Sequence, residues 1–410
     1  MTTTAPQLLP YLERLLDGET VEWKTLGEVC DYEQPTAYLV RNTNYSDQYP
    51  IPVLTAGKTF ILGYTNETTG VYRASEHPTI IFDDFTTANK WVDFDFKAKS
   101  SAMKMLTSKD EKVCLLKYIY YWLNTLPADP IVGDHSRQWI SNYAQKLFPL
   151  PPLRVQARIV EILDKFTQLE TQLETELEAR NKQYDFYRNR LLDFAHRDDF
   201  DGKVEWTTLG KVCLQLRTGL NPRNNFKLNT DDASNYYVTV RELGGTELIY
   251  SEKTDLINDH ALQLINNRSK LKVNDILFSG TGTIGKTAFI AEEPSNWNIK
   301  EGVYALTLDT RYVLPMFVLR YLQSQRAIDW IERMAAGSTV RSITMRNLEQ
   351  LPFPLPPLSE QRRIVEILDR FDTLTNSISE GLPREIALRR KQYEYYRDAL
   401  LRFPPPAPTA

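Results

Sequence analysis

Gly280-Thr281-Gly282-Thr283-Ile284-Gly285-Lys286-Thr287 is the stretch whose residue types and spacing point most directly to chemistry. It satisfies the phosphate-loop pattern, in which glycines let backbone amides close on phosphate, a lysine reaches the terminal phosphates and a hydroxyl holds magnesium. Such a loop needs a helix straight after the lysine, because the amides at the helix start carry partial positive charge. Here Thr287-Ala288-Phe289-Ile290-Ala291 runs into Glu292-Glu293-Pro294, which reads as a short strand and a turn. No apolar strand ending in a magnesium-binding aspartate follows at a suitable distance. A glycine hairpin is therefore expected, either purely structural or offering Ser279, Thr281, Thr283 and Lys286 to nucleic-acid phosphates or base edges. A P-loop-like NTPase is the rival reading.

Other chemistries find less support. His77, His135, His196 and His260 are the four histidines and none has a second ligand at metal spacing, so neither a metal nor another cofactor is expected. Three widely spaced cysteines argue against a disulfide scaffold and suit a reducing, cytoplasmic compartment. Asp83-Asp84 lacks the Glu-x-Lys that would follow in a nuclease and reads as a turn after a strand. Asn221-Pro222-Arg223 is not a methyltransferase motif, so the isolated chain is expected to catalyse nothing. No apolar run reaches the ~18 residues that span a bilayer, and the N-terminus lacks a basic-then-apolar signal pattern. A net charge of −4 is awkward for a nucleic-acid binder unless basic residues gather on one face or a partner supplies cations.

What must position these residues is a frame that the chain writes twice. The phrase running from Val21-Glu22-Trp23 through Leu26-Gly27 to Cys30 returns from Val204-Glu205-Trp206 through Leu209-Gly210 to Cys213, 183 residues later (204 − 21). Phe148-Pro149-Leu150-Pro151-Pro152-Leu153, with Gln156 and the run from Arg158 to Asp164, returns from Phe353 with Gln361 and Arg363 to Asp369, 205 residues later (354 − 149). Cys30 and Cys213, at one place in both copies, are expected to be small buried core residues. Between the phrases lie two inserts that barely match. Both carry strand-like runs, such as Thr79-Ile80-Ile81-Phe82 and Asp275-Ile276-Leu277-Phe278, and a helix, near Val113–Leu126 and Pro315–Met334.

After each proline-rich phrase the apolar period becomes helical: Ile159, Ile162, Leu163, Phe166, Leu169, Tyr184 and Tyr187 against Ile364, Ile367, Leu368, Phe371, Leu374, Tyr393 and Tyr396. Stripes that match position for position predict an antiparallel coiled coil with the inserts at its ends. The plainer alternative packs each helix on its own domain. Thr167-Gln168-Leu169-Glu170, Thr171-Gln172-Leu173-Glu174 and Thr175-Glu176-Leu177-Glu178 form a tandem repeat. One unit changes helix length by ~6 Å and phase by ~40°, as a ruler would. Gly381-Leu382-Pro383 should kink or restart the second helix. Arg14-Leu15-Leu16-Asp17 resembles Arg190-Leu191-Leu192-Asp193, so the repeat is circular and the N-terminal segment is expected to complete it.

Pro354-Leu355-Pro356-Pro357-Leu358-Ser359-Glu360-Gln361, followed by Ile364-Val365-Glu366-Ile367-Leu368, resembles the conserved-region motif of specificity subunits of type I restriction–modification systems. The Thr-x-Leu-Glu units resemble the spacer of the subgroup in which spacer length alters the recognised site. Gly337-Ser338-Thr339-Val340-Arg341 resembles the end of a recognition insert. The first copy departs from the pattern, with Arg154-Val155 in place of Ser359-Glu360 and Gly133-Asp134-His135-Ser136-Arg137 in place of the Gly-Ser-Thr phrase.

The resemblance implies an α+β fold of two globular target-recognition domains separated by two long helices in an antiparallel coiled coil, a pseudo-twofold circular repeat. Its expected divisions are an N-terminal segment 1–20, recognition domain 21–152, central helix and spacer 153–200, recognition domain 201–357, C-terminal helix 358–403 and tail 404–410. It implies a non-catalytic subunit that reads a bipartite, asymmetric site on double-stranded DNA. Its expected partners are two methyltransferase subunits and, through them, restriction subunits, with no membrane. A protein-binding scaffold is the other alternative. Candidate DNA contacts, beyond the glycine hairpin, are Arg217, Thr218, Arg223, Arg241, Arg341 and Ser342 in the second insert. In the first they are Lys58 and Thr59 of another glycine turn, with Ser136, Arg137 and Gln138. Arginine can pair two donors with guanine, and glutamine can pair with adenine.

Overall fold

The computed structural model describes residues 9–57, 59–127, 137–196, 204–223, 225–335, 341–377 and 379–405. The chain divides into two compact units, one of residues 1–174 with 385–410 and one of residues 175–384.

Within each unit the two repeated phrases are partners in space. In the first, Glu22–Thr25 pairs antiparallel with Leu147–Leu150, setting Trp23 against Pro149. In the second, Glu205–Thr208 pairs with Pro352–Leu355, setting Trp206 against Pro354. Proline has no N–H to donate, and these two-stranded ribbons have free edges where none is needed. The glycine of the phrase allows close approach: a Cβ on Gly27 would lie 3.1 Å from the Ala144 carbonyl oxygen, and one on Gly210 3.1 Å from that of Glu349. Each insert is thus closed at its base by the frame that brackets it.

The inserts themselves share one topology. A four-stranded antiparallel sheet runs Cys30–Glu33, Met103–Ser108, Thr79–Asp83, Asn89–Val92 in the first unit. In the second it runs Cys213–Thr218, Val303–Leu308, Ile276–Ser279, Thr287–Phe289. Each unit adds a three-stranded sheet with one parallel pair. Thr79–Asp83 and Ile276–Ser279 are buried throughout, which is why they read as continuous apolar runs. The helix expected near Val113–Leu126 is Leu116–Leu123. The one expected over Pro315–Met334 is two, Pro315–Leu322 and Gln325–Met334, because Ser324 leaves the helical backbone and its hydroxyl caps the second by accepting the Ala327 amide.

The central helix, Leu153–Leu192, is continuous over 40 residues. Its counterpart is interrupted, running Leu358–Asn376 and then Gly381–Leu400. Gly381 has φ +74°, and a Cβ there would meet the Thr373 carbonyl oxygen at 2.4 Å, so only glycine can turn the chain against the end of the preceding helix. The helices pair antiparallel. In the first unit Phe166 stacks on Tyr396 with centroids 5.4 Å apart and planes at 26°. In the second, Phe371 stacks on Tyr187 at 5.4 Å and 24°.

The circular relation is visible in the cores. Leu191 and Leu192 join Ile364 and Leu368 in the core of the second unit. In the first, the same role falls to Leu12 and Leu16 of a short N-terminal helix, Pro10–Leu16, together with Leu400 and Leu401, packed with Ile159 and Leu163. Arg154, where the other copy has Ser359, closes this joint by donating to the Leu15 and Leu16 carbonyls and to Glu19. The departure from the repeat is therefore structural: it fastens the Pro10–Leu16 helix to the start of the central one. No described helix is long and apolar enough to cross a membrane.

Candidate nucleic-acid interface

Separate segments of the second unit converge on an open groove of about 930 Å³. It gathers Thr218, Arg241 and Thr281, scattered over the sequence, and adds Asn221, Arg268 and Lys300, which sequence reasoning missed as contacts. Arg268 ends the helix Asp259–Arg268, and Lys300 follows the strand Trp297–Ile299. Arg268 opens the basic run Arg268-Ser269-Lys270-Leu271-Lys272, whereas Lys300 is an isolated cation, and the fold brings the two to one groove. Arg268 and Lys300 make no ion pair among the described residues, whereas Arg241 is oriented by Asp255 at 2.5 Å. The Thr218 hydroxyl is used internally, donating to the Val303 carbonyl at 3.0 Å and accepting the Gly302 amide at 3.0 Å.

The octapeptide is a hairpin turn. Thr287–Phe289 follows Lys286 as a strand paired with Ile276–Ser279, so no helix start cradles phosphate. Ser279 is buried; its hydroxyl donates to the Thr283 carbonyl at 2.6 Å and accepts the Lys286 amide at 2.8 Å, which closes the turn. That leaves Thr281, Thr283 and Lys286 exposed on its outside. The turn is tied to the segment carrying Arg341 and Ser342: Thr281 bridges Ser342, the Gly282 amide donates to Arg341, and the Ile343 amide donates to Gly280 at 2.8 Å. Arg341 is exposed and donates to the Glu332 carbonyl at 2.9 Å. Arg217 is buried against Asp275 and donates to Thr307 at 2.9 Å, a structural ion pair rather than a surface cation. Arg223 is exposed in a turn whose amide is held by Asn221, outside the groove lining.

The first unit repeats this scheme with other residues. Asp83 occupies the place of Ser279 and closes its own turn, accepting the Phe85 amide at 2.9 Å and the Thr86 hydroxyl at 2.7 Å. The Gln138 amide donates to the Asp84 carbonyl at 2.8 Å, the counterpart of Ile343 on Gly280. That equivalence has an offset of 205 (343 − 138), one residue away from an alignment of Arg137 with Arg341. Asp84 is buried 3.5 Å from the Lys104 ammonium and accepts the Trp139 amide at 2.8 Å. Arg137 is exposed, 4.0 Å from Asp84, while Gln138 is buried and bonded to Asn142. Thr59 is exposed, its carbonyl accepting the Thr55 hydroxyl at 2.7 Å. Lys58 and Ser136 lie outside the described residues.

No group of three or more metal-ligating side chains occurs among the described residues. Burial lifts all three thiols above their ordinary range, Cys114 and Cys213 to about 12, so thiolate is scarce at neutral pH.

The family model for the type I restriction modification DNA specificity domain matches twice, over residues 18–179 and 204–388. The chain belongs to that family. A type I restriction enzyme EcoR124I/EcoR124II specificity subunit of Escherichia coli is 48% identical over 97% of this chain and 98% of its own length. A putative type I specificity subunit of Haemophilus influenzae is 30% identical over 96% of this chain and 98% of its own. The type I S subunit of M. genitalium has the same fold, with a TM-score of 0.58 at 15% identity over 94% of this chain and 98% of that one. As a specificity subunit, the chain is the non-catalytic member of such a system. The doubled family match follows the doubled frame.

Proposed function

We propose that this specificity subunit reads a bipartite, asymmetric site on double-stranded DNA, each insert reading one half. The observation that carries the reading is the second-unit groove, with Arg268 and Lys300 free of ion pairs among the described residues beside an oriented Arg241. Cations gathered in a groove of a chain with net charge −4 are what phosphate contact requires. Thr281, Thr283, Lys286, Arg223, Arg341 and Ser342 extend the contact surface, and Arg137 with Thr59 serves the first half. Lys58 and Ser136 are proposed with them. Ser279, Arg217, Thr218 and Gln138 shape the loops from within. One topology with different surface residues favours two unlike half-sites.

The reading divides the chain into recognition domains 21–152 and 201–357, helical segments 153–200 and 358–403, a closing segment 1–20 and a tail 404–410. The E. coli relative is named for a type I restriction enzyme. By that likeness two methyltransferase subunits dock on the helical frame, and restriction subunits join through them.

Substitution in the groove tests this. In the chain assembled with its methyltransferase partner, Arg268→Ala and Lys300→Ala should each weaken DNA binding and lower the salt slope by about 1 per lost phosphate contact. Any change in the bases read should be confined to one half-site. Undiminished DNA binding by both variants would leave the protein-scaffold reading standing instead.

A further inference from the structure

The two copies of the frame match closely towards both ends of their helices and diverge between them. In the first unit Arg390 forks across the helix pair onto Glu170 and onto Glu174, the latter at 2.5 Å. These glutamates are the last residues of two successive Thr-Gln-Leu-Glu units. At the starts of the two helices the copies are offset by 205, so Thr375 and Ser379 stand where the other copy has Glu170 and Glu174. At their ends the offset is 209 (391 − 182), so Asn181 stands where the other copy has Arg390. The fork therefore exists only where the spacer is, and both its cation and its acids are departures from the repeat.

The offset itself grows by four residues (209 − 205) between the two ends, the length of one spacer unit. A glutamate every fourth residue returns to nearly the same helix face, with a step of ~6 Å and ~40°. The spacer thus carries equal rungs, Glu170, Glu174 and Glu178, of which Arg390 holds the first two. Removal of Thr171–Glu174 would set Glu178, now bonded to Lys182 at 2.5 Å, four residues after Glu170. An arginine can span two rungs at once because its guanidinium presents a planar fork, which a lysine cannot.

We propose that Arg390 sets the register of the helix pair on the spacer, re-forming its two-glutamate fork with the next rung when a unit is lost or gained, and so holds the pair at the gap length that the spacer sets. This rests on the bipartite reading above for its consequence in DNA, though not for its register. The spacer length offers a set of discrete settings, and Arg390 is the residue that holds the pair in one of them.

Two measurements on the full chain test it. The first involves no DNA. Arg390→Ala is introduced into the native chain and into one lacking Thr171–Glu174, and thermal unfolding is recorded. The midpoint should fall by about 1–3 °C in both backgrounds, as for a lost exposed ion-pair network. A fall in the native chain but none in the shortened one, or none in either, overturns the proposal.

The second maps modified sites in cells carrying the chain and its methyltransferase partner. Arg390→Glu sets three carboxylates together and should raise modification at sites with a gap one base pair off by about tenfold, with both half-sites unchanged. Adding Glu170→Arg and Glu174→Arg should restore the native gap preference. An unchanged preference in Arg390→Glu overturns the proposal. Absence of any bipartite motif with the native chain defeats the functional reading instead, and the unfolding measurement still decides the register.

Discussion

Gln156 and Gln361 make the same three hydrogen bonds in the two units. Each is fully buried. The Gln156 amide donates to the Pro151 carbonyl at 2.8 Å and the Val113 carbonyl at 2.9 Å, and its oxygen accepts the Leu115 amide at 2.9 Å. The Gln361 amide donates to Pro356 and Tyr312, both at 2.9 Å, and accepts from Leu314 at 2.9 Å. One side chain thereby joins the long helix, the proline-rich ribbon and the helix of the insert. Either Gln→Ala change strands one buried carbonyl, one part-buried carbonyl and a part-buried amide, and should cost about 1–3 kcal/mol in urea unfolding. A cost below ~1 kcal/mol would show that water replaces the side chain.

Arg320 is buried in the second unit and donates to Asp369 at 2.8 Å, Asp372 at 2.9 Å and the Tyr184 hydroxyl at 2.9 Å. Burial pushes the Asp372 carboxyl up, but Arg320 outweighs it and holds the group below its ordinary range. Since the folded pKa is depressed, this stabilisation is present above the unfolded value of ~3.9 and is lost as pH falls through the lower folded one. Arg320→Met should cost about 2–4 kcal/mol at neutral pH, because it leaves the aspartates unpaired. That cost should shrink as the pH drops below ~4 and the carboxyls are protonated. Unfolding of both proteins across that pH range measures it; a pH-independent difference would exclude the ion pair as its source.

The glycine hairpin packs closely against a tyrosine ring. A Cβ on Gly280 would fall 2.2 Å from the ring of Tyr304, whose hydroxyl donates to the Ile343 carbonyl at 2.7 Å. Gly280→Ala must displace that ring and should destabilise the second unit by about 1–3 kcal/mol. Calorimetry of the two proteins checks this, and an unchanged transition would contradict the packing described.

Lys286 is exposed on that hairpin with a strand behind it. Titration of ATP into the purified chain should show no binding. Lys286→Ala should weaken DNA binding evenly across sequences and reduce the salt slope by about 1. ATP affinity abolished by Lys286→Ala would overturn this account.

The frame was legible because it is written twice, and the matched stripes announced the helix pairing that Phe166 on Tyr396 and Phe371 on Tyr187 display. The Gly381 restart was legible from its glycine and proline. The ribbons were not, since Trp23 meets Pro149 and Trp206 meets Pro354 across more than a hundred residues, and no local period encodes such a pairing. The same distance hid the fates of individual polar residues. Arg217 and Ser279 look like surface groups until Asp275 and the turn around Lys286 are seen to enclose them. Lys300 gave no signal because a single cation next to ordinary neighbours has no pattern, and the basic run Arg268-Ser269-Lys270-Leu271-Lys272 does not say which of its cations turns to the groove.

On the proposed reading, one chain carries two unlike readers. Mapping the modified bases in cells that carry this chain with its methyltransferase partner tests that most directly. Two different half-sites separated by a fixed gap are predicted, with deletion of Thr171–Glu174 changing the gap or weakening modification and sparing both halves. A single continuous motif, or half-sites that change with the spacer, would contradict it.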